Sequence, residues 1–102
     1  MVSTAYARGR SREYQVLKKL RREGWYCSRS AASHGPVDVF AGKGRMVRMI
    51  QVKSGRARLK PGDREVLKLW AQAYGGVAEV WYFGRRIGTR IEVVCDATIG
   101  GP

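Results

Sequence analysis

Acidic residues are scarce in this chain: eight Asp and Glu stand against 20 Lys and Arg, and the formal net charge is +12 over 102 residues. Soft metal ligands are scarcer still, with Cys27, Cys95 and His34 the only cysteines and histidine. Two cysteines make no disulfide framework, and with one histidine they fall short of a structural zinc site, so both read as strand residues. No run approaches the roughly 18 apolar residues of a membrane span, and no apolar stretch of signal-peptide length follows the basic N-terminus. The expectation is an intracellular protein without a membrane partner. Repeats and low-complexity segments are absent.

What is present is a foldable composition. Hydrophobic residues make up 44% of the chain and charged residues 27%, too apolar for a disordered segment. The length fits one domain spanning residues 1–102, with a basic N-terminal arm at 1–9 and a flexible tail at 97–102. Residues 1–60 hold 15 basic and three acidic residues, and residues 61–102 hold five of each, so the whole excess lies in the first 60. Arginine supplies 14 of the 20 bases. Planar Arg forks suit phosphate oxygens, which makes nucleic acid the leading partner. An acidic membrane surface would demand a basic helix with a free apolar face, and the first helix spends its apolar face on a core that includes a carboxylate.

That helix is read over residues 10–23, with Gly24 as its stop. Val16, Leu17 and Leu20 lie within about 60° of Glu13 around the helix axis, so Glu13 is centred on the apolar stripe. Strands are expected at 25–29, 37–41, 46–53, 77–83 and 91–95, the second and third forming a hairpin about a turn at 42–45. Residues 30–36 form a loop of small residues, 56–62 a basic loop, and 63–74 a second helix ended by Gly75-Gly76. The order is that of a layered α/β fold.

The chemically odd residues gather within this layout. Asp38 lies in an otherwise apolar strand beside Val37, Val39 and Phe40, where a lone carboxylate costs several kcal/mol of desolvation unless paired or metal-bound. Gln51 and Lys53 are two residues apart on the next strand and so share a face. If the hairpin pairs these strands, Asp38, Gln51 and Lys53 share that face with Glu13 above it. Two carboxylates and an amide oxygen suit Mg²⁺ or Mn²⁺, and a nearby Lys can stabilise a phosphate or help deprotonate a water. The structural alternatives are a Glu13–Arg surface pair and a buried Asp38–Lys53 ion pair. Trp70 and Tyr74, at helical spacing, read as core or dimer interface rather than base-stacking platforms. The basic run at 18–22 reads as a solvated helix face able to flank the site.

Glu13, then Gly35-Pro36-Val37-Asp38-Val39, then Ile50-Gln51-Val52-Lys53-Ser54 resemble the signature of the PD-(D/E)XK nuclease superfamily, most of all its archaeal-type Holliday-junction resolvases. Arg8-Gly9-Arg10, Arg29, the loop with Ser33, and Tyr74-Gly75-Gly76 fit the same pattern, which covers residues 8–84. The resemblance implies a restriction-endonuclease-like core, a mixed sheet of about five strands flanked by helices. It implies a homodimeric, metal-dependent endonuclease acting on branched DNA, with Glu13, Asp38, Gln51 and Lys53 as catalytic residues. The metal would be held by Glu13, Asp38, Gln51 and the Val52 backbone carbonyl. DNA would be held by Arg8, Arg10, Arg12, Arg29, Ser33, His34, Arg56 and Arg58. Two positions depart from the pattern: Gln51 stands where the family usually has Glu, and Val37 separates Pro36 from Asp38. Gln keeps an oxygen ligand but loses a charge, so weaker metal affinity is expected. The alternatives are a nuclease of the same fold acting on flaps, nicks or duplexes, an inactive DNA-binding module, and an RNA-binding accessory protein.

Overall fold

A computed structural model describes residues 4–30, 35–84 and 88–98, with side chains from residue 10 onward. The element order is α1 (Thr4–Arg22), β1 (Tyr26–Arg29), β2 (Val39–Lys43), β3 (Met46–Ser54), α2 (Pro61–Tyr74), β4 (Val77–Gly84) and β5 (Gly88–Asp96). The five strands form one sheet in sequence order. All neighbours pair antiparallel except β3 and β4, which run parallel because α2 carries the chain back between them.

Strand alternation splits the core in two. Val39, Ala41, Ile50, Trp81 and Phe83 pack under Val16, Leu17 and Leu20 of α1. Met49, Ala78, Val80 and Tyr82 face the other way, packing with Leu67 and Ala71 of α2 and with Val37. The apolar stripe read from the sequence is therefore the α1 face in contact with the sheet, and Val16, Leu17 and Leu20 are all buried.

Two glycines after α2 are dictated by geometry. Gly75 caps the helix in the left-handed conformation at φ 62°, its N–H donating to the Ala71 and Gln72 carbonyls. A Cβ on Gly76 would lie 2.5 Å from the Val47 carbonyl oxygen, so no larger residue fits where the chain enters β4 beside β3.

Several boundaries differ from the expectation. Helix α1 begins at Thr4, so residues 4–9 of the expected arm are helical. Gly9 lies inside this helix at a cost of about 1 kcal/mol relative to Ala, too small to end it. Pro61, favoured at the first turn, starts α2 two residues early. Strand β2 is displaced to Val39–Lys43, because Gly42 and Lys43 pair with Val47 and Met46 and leave only Gly44-Arg45 in the turn. Strand β5 extends to Gly88–Asp96. Within the expected tail, the Ala97 N–H donates to the Gly76 carbonyl and Thr98 bonds to the Asp96 carboxylate; residues 99–102 lie outside the described residues.

Candidate active site

Asp38 sits one residue before β2, at the point where the β2–β3 ladder ends. Its own N–H donates to the Ile50 carbonyl at 2.8 Å. Beyond that point β2 is no longer beside β3, and the next N–H on that edge, at Val52, has lost its backbone partner. The Asp38 carboxylate takes it, with Oδ2 2.7 Å from the Val52 nitrogen. The side chain thus continues the ladder as a carboxylate instead of a carbonyl. N–H and C=O of one strand residue point to the same edge, so the Val52 carbonyl is directed to the side on which Asp38 lies.

This carboxyl is half-buried and its pKa is raised above 3.8. Burial is the main cause; the Val52 N–H opposes it, nearby Glu13 adds to it and Lys53 partly offsets it. Asp38 therefore lies within electrostatic reach of both Glu13 and Lys53. Glu13 occupies the N-terminal extension of the α1 stripe, half-buried, where it accepts a hydrogen bond from Arg29 Nη1 at 3.2 Å. The Arg29 guanidinium also lies over Tyr14, 5.2 Å from the ring centroid.

Gln51 and Lys53 share strand parity with Met49, on the α2 side of the sheet, whereas α1 and Glu13 belong to the other side. The expectation that all four groups share one face is corrected: Glu13 belongs to the α1 side and Gln51 and Lys53 to the α2 side, while Asp38, at the end of the ladder, is within electrostatic reach of Glu13 and Lys53. Gln51 carries the most telling atom. Its Oε1 is fully buried and has no hydrogen-bond partner, a state that costs about 1–3 kcal/mol for an ordinary acceptor. Among the described residues, no three His, Cys, Asp or Glu side chains cluster as a metal site. The donor set is two carboxylates and an orphaned amide oxygen, all hard oxygen ligands, and it fits a divalent cation of the Mg²⁺ class.

The other predicted contacts distribute unevenly. Arg10, Arg56 and Arg58 are exposed. Arg12 lies over Phe83 at 5.3 Å and donates to Gln15. The Arg8 side chain, Ser33 and His34 lie outside the described residues. Arg29 points at Glu13 instead of standing free. Trp70 and Tyr74 stack at 6.0 Å with 11° between ring planes, and Phe40 of β2 joins them at 6.3 and 6.1 Å. Sequence reasoning passed over two groups. Tyr82 and Arg90 stand in register beside Lys53, a placement that needs the parallel β3–β4 pairing to be known. Glu79, a buried carboxylate in apolar β4, gave the same signal as Asp38 and was not singled out.

A mixed five-stranded sheet between two helices, with a desolvated carboxylate at the end of the β2–β3 ladder, is the architecture of the restriction-endonuclease-like class of nucleases. Within that class, the family model of archaeal Holliday junction resolvases, Hjc, matches residues 4–93, and the chain belongs to that family. It is a metal-dependent endonuclease of the Holliday junction resolvase type. The fold also matches the crystal structure of Hjc from Archaeoglobus fulgidus, described as a Holliday junction resolvase from an archaeal hyperthermophile. That match has a TM-score of 0.73 and 29% identity, and covers 85% of this chain and 73% of that chain.

Proposed function

We propose that Glu13, Asp38, Gln51 and Lys53 form the hydrolytic centre, and that the protein resolves four-way DNA junctions as a homodimer with Mg²⁺ or Mn²⁺. The observation that carries the assignment is the buried, unpartnered Gln51 Oε1 one residue from Val52, whose N–H holds a desolvated carboxylate. Such an atom calls for a partner, and a hard cation is the one this donor set suits. Glu13, Asp38, Gln51 and the Val52 carbonyl would hold the cation. When bound, it supplies a lowered pKa for an attacking water and Lewis-acid stabilisation of the phosphate.

The chain's own groups do the rest. Val52 N–H fixes the Asp38 carboxylate, and Arg29 fixes Glu13. Lys53, in electrostatic contact with Asp38, orients the water for in-line attack on phosphorus and neutralises charge that develops on the phosphate oxygens. Arg8, Arg10, Arg12, Arg56 and Arg58, with Ser33 and His34, hold the DNA backbone, a role that positions without reading sequence.

The dimer reading rests on the outer face of α2. Leu69 and Tyr74 are 63% and 54% exposed, and Val66 is 41% exposed, beside the Phe40–Trp70–Tyr74 aromatic cluster. Symmetric cleavage of a four-way junction needs two sites related by a two-fold axis. No helix among the described residues is long and apolar enough to cross a membrane, and the substrate places the protein with cellular DNA.

The test is incubation with labelled four-way junction, flap and linear duplex, each with Mg²⁺, Mn²⁺ or chelator. Paired incisions in the junction that need the cation support the reading. Equal cutting of duplex would replace it with a nuclease lacking junction preference, and binding without cleavage would leave a DNA-binding module.

A further inference from the structure

On β4, Tyr82 and Phe83 point to opposite faces of the sheet, and each ring carries arginine. Arg12 covers Phe83 on the α1 side. On the α2 side, Arg90 Cζ lies 4.4 Å and Arg58 Cζ 5.8 Å from the Tyr82 centroid. Register puts Tyr82 directly beside Lys53 of β3 and opposite Arg90 of β5. Lys53, Tyr82 and Arg90 therefore form one row across three strands, about 10 Å long at two inter-strand spacings, beginning at the proposed hydrolytic centre.

The carboxylate nearest this row is already engaged. Glu92 receives hydrogen bonds from Arg64 at 3.4 and 3.2 Å and from the Tyr82 hydroxyl at 3.4 Å. Arg58 and Arg90 are exposed, and among the described residues neither forms an ion pair with a carboxylate. Two guanidinium groups drawn to one ring repel each other, and the ring quadrupole offsets only part of that repulsion. Arg58 Nη1 donates to the Ala57 carbonyl at 3.0 Å, which steadies that guanidinium beside the ring, and guanidinium forks suit phosphate oxygens.

We infer that Arg90 and Arg58, mounted on Tyr82, form a DNA-backbone clamp that holds the substrate strand on the α2–β5 side of the active site. This inference rests on the proposed nuclease function, pairs Arg58 with a partner on β5, and adds in Arg90 a contact outside the basic first 60 residues. Arg12 on Phe83 holds the opposite side, so the end of β4 splits the charge between two flanks of the sheet.

The experiment measures junction binding by fluorescence anisotropy from about 50 to 200 mM salt for wild type, Arg90→Gln, Arg90→Lys and the Arg58→Gln/Arg90→Gln double variant. Single-turnover cleavage at saturating enzyme is measured alongside. Each lost phosphate contact is expected to make the slope of log affinity against log salt shallower by about 0.9. Arg90→Gln should therefore lose about one unit of slope and the double variant about two, with Arg90→Lys close to wild type because the charge is kept. The saturated cleavage rate of Arg90→Gln should change little. Variants with wild-type slope and affinity, and an unchanged melting temperature, would overturn the clamp while leaving the nuclease assignment intact. Failure of wild type to cut or bind any branched DNA would instead overturn the function on which the clamp rests.

Discussion

Two carboxylates set among apolar residues are alike in sequence and opposite in circumstance. Asp38 stands among Val37, Val39 and Phe40; Glu79 stands among Val77, Ala78, Val80 and Trp81. Glu79 is 4% exposed and fully engaged: Arg48 Nε and Nη2 donate to its two oxygens at 2.6 and 2.8 Å, and Trp81 Nε1 donates at 2.9 Å. Arg48 itself lies over Trp25 and Trp81, and the Glu79 hydrogen bond raises its pKa still further. Asp38 receives one backbone N–H and feels a second carboxylate, and the facing strand carries an unpartnered amide oxygen at Gln51. Burial of a carboxylate is thus no sign of chemistry by itself. Unspent hydrogen-bonding capacity around it is.

The largest break in this comparison is expected from Asp38→Asn. Removing the charge should reduce cation-dependent cleavage by on the order of 10³-fold or more, since metal-assisted stabilisation is worth several kcal/mol. Junction binding should be retained or tightened, because a charge that repels phosphate is gone. Retained cleavage with lost binding would sink the assignment. Glu79→Gln should do the converse. It leaves Arg48 in a site where only 17% of its side chain is exposed and takes away its anion, at a cost of about 3 kcal/mol in stability. Thermal melting should fall by several degrees for each kcal/mol, while cleavage by the folded fraction stays near wild type. A Glu79→Gln protein of normal stability but no activity would erase the distinction between the two carboxylates.

The contrast also marks what was legible beforehand. The α1 stripe and the β2–β3 pairing follow from local spacing, so Glu13, Asp38, Gln51 and Lys53 were identified as one group from periodicity and resemblance. The ladder geometry was not legible: nothing in the residues says that Asp38 falls just outside β2 and uses its side chain to bond Val52. Glu79 was missed because its partner Arg48 comes from a neighbouring strand, and that strand is parallel, joined only through a helix. Tyr82 and Arg90 were missed for the same reason. Charge counted along the chain placed the basic excess in residues 1–60 and overlooked Arg90, whose neighbouring acid Glu92 is engaged by Arg64. Counts along a sequence do not register which charges are already paired.

A smaller effect sharpens the comparison at Gln51. Gln51→Glu places a third negative charge near Asp38 and Glu13, so the concentration of Mg²⁺ needed for half-maximal cleavage should fall, by about tenfold if the carboxylate adds roughly 1.4 kcal/mol to binding. The same charge favours protonated Lys53, so turnover at neutral pH can fall even as metal affinity rises if Lys53 works as a base. Metal titrations and pH–rate profiles of both proteins separate these effects. Unchanged metal dependence in an active enzyme would place Gln51 outside the coordination shell.

The smallest effect is read from stability without metal. The folded protein raises the Asp38 pKa above 3.8, chiefly by burial and then through Glu13, so the fold binds this proton more tightly than the unfolded chain does. The group's stabilising contribution is fully present below the unfolded value and is lost as pH rises through the folded value. Asp96 runs the other way, because its bonds to Thr98 lower its pKa; its contribution is present above the unfolded value and is lost as pH falls. A raw melting profile mixes the two. Comparing wild type with Asp38→Asn in chelator cancels Asp96 and isolates Asp38: the variant's melting temperature should gain on wild type as pH rises from about 4 to 7. Added Mg²⁺ should close that gap for wild type alone, since the cation then neutralises the carboxylate that burial disfavours. A gap independent of pH would mean that Asp38 is as well compensated as Glu79, and the two carboxylates would no longer differ in kind.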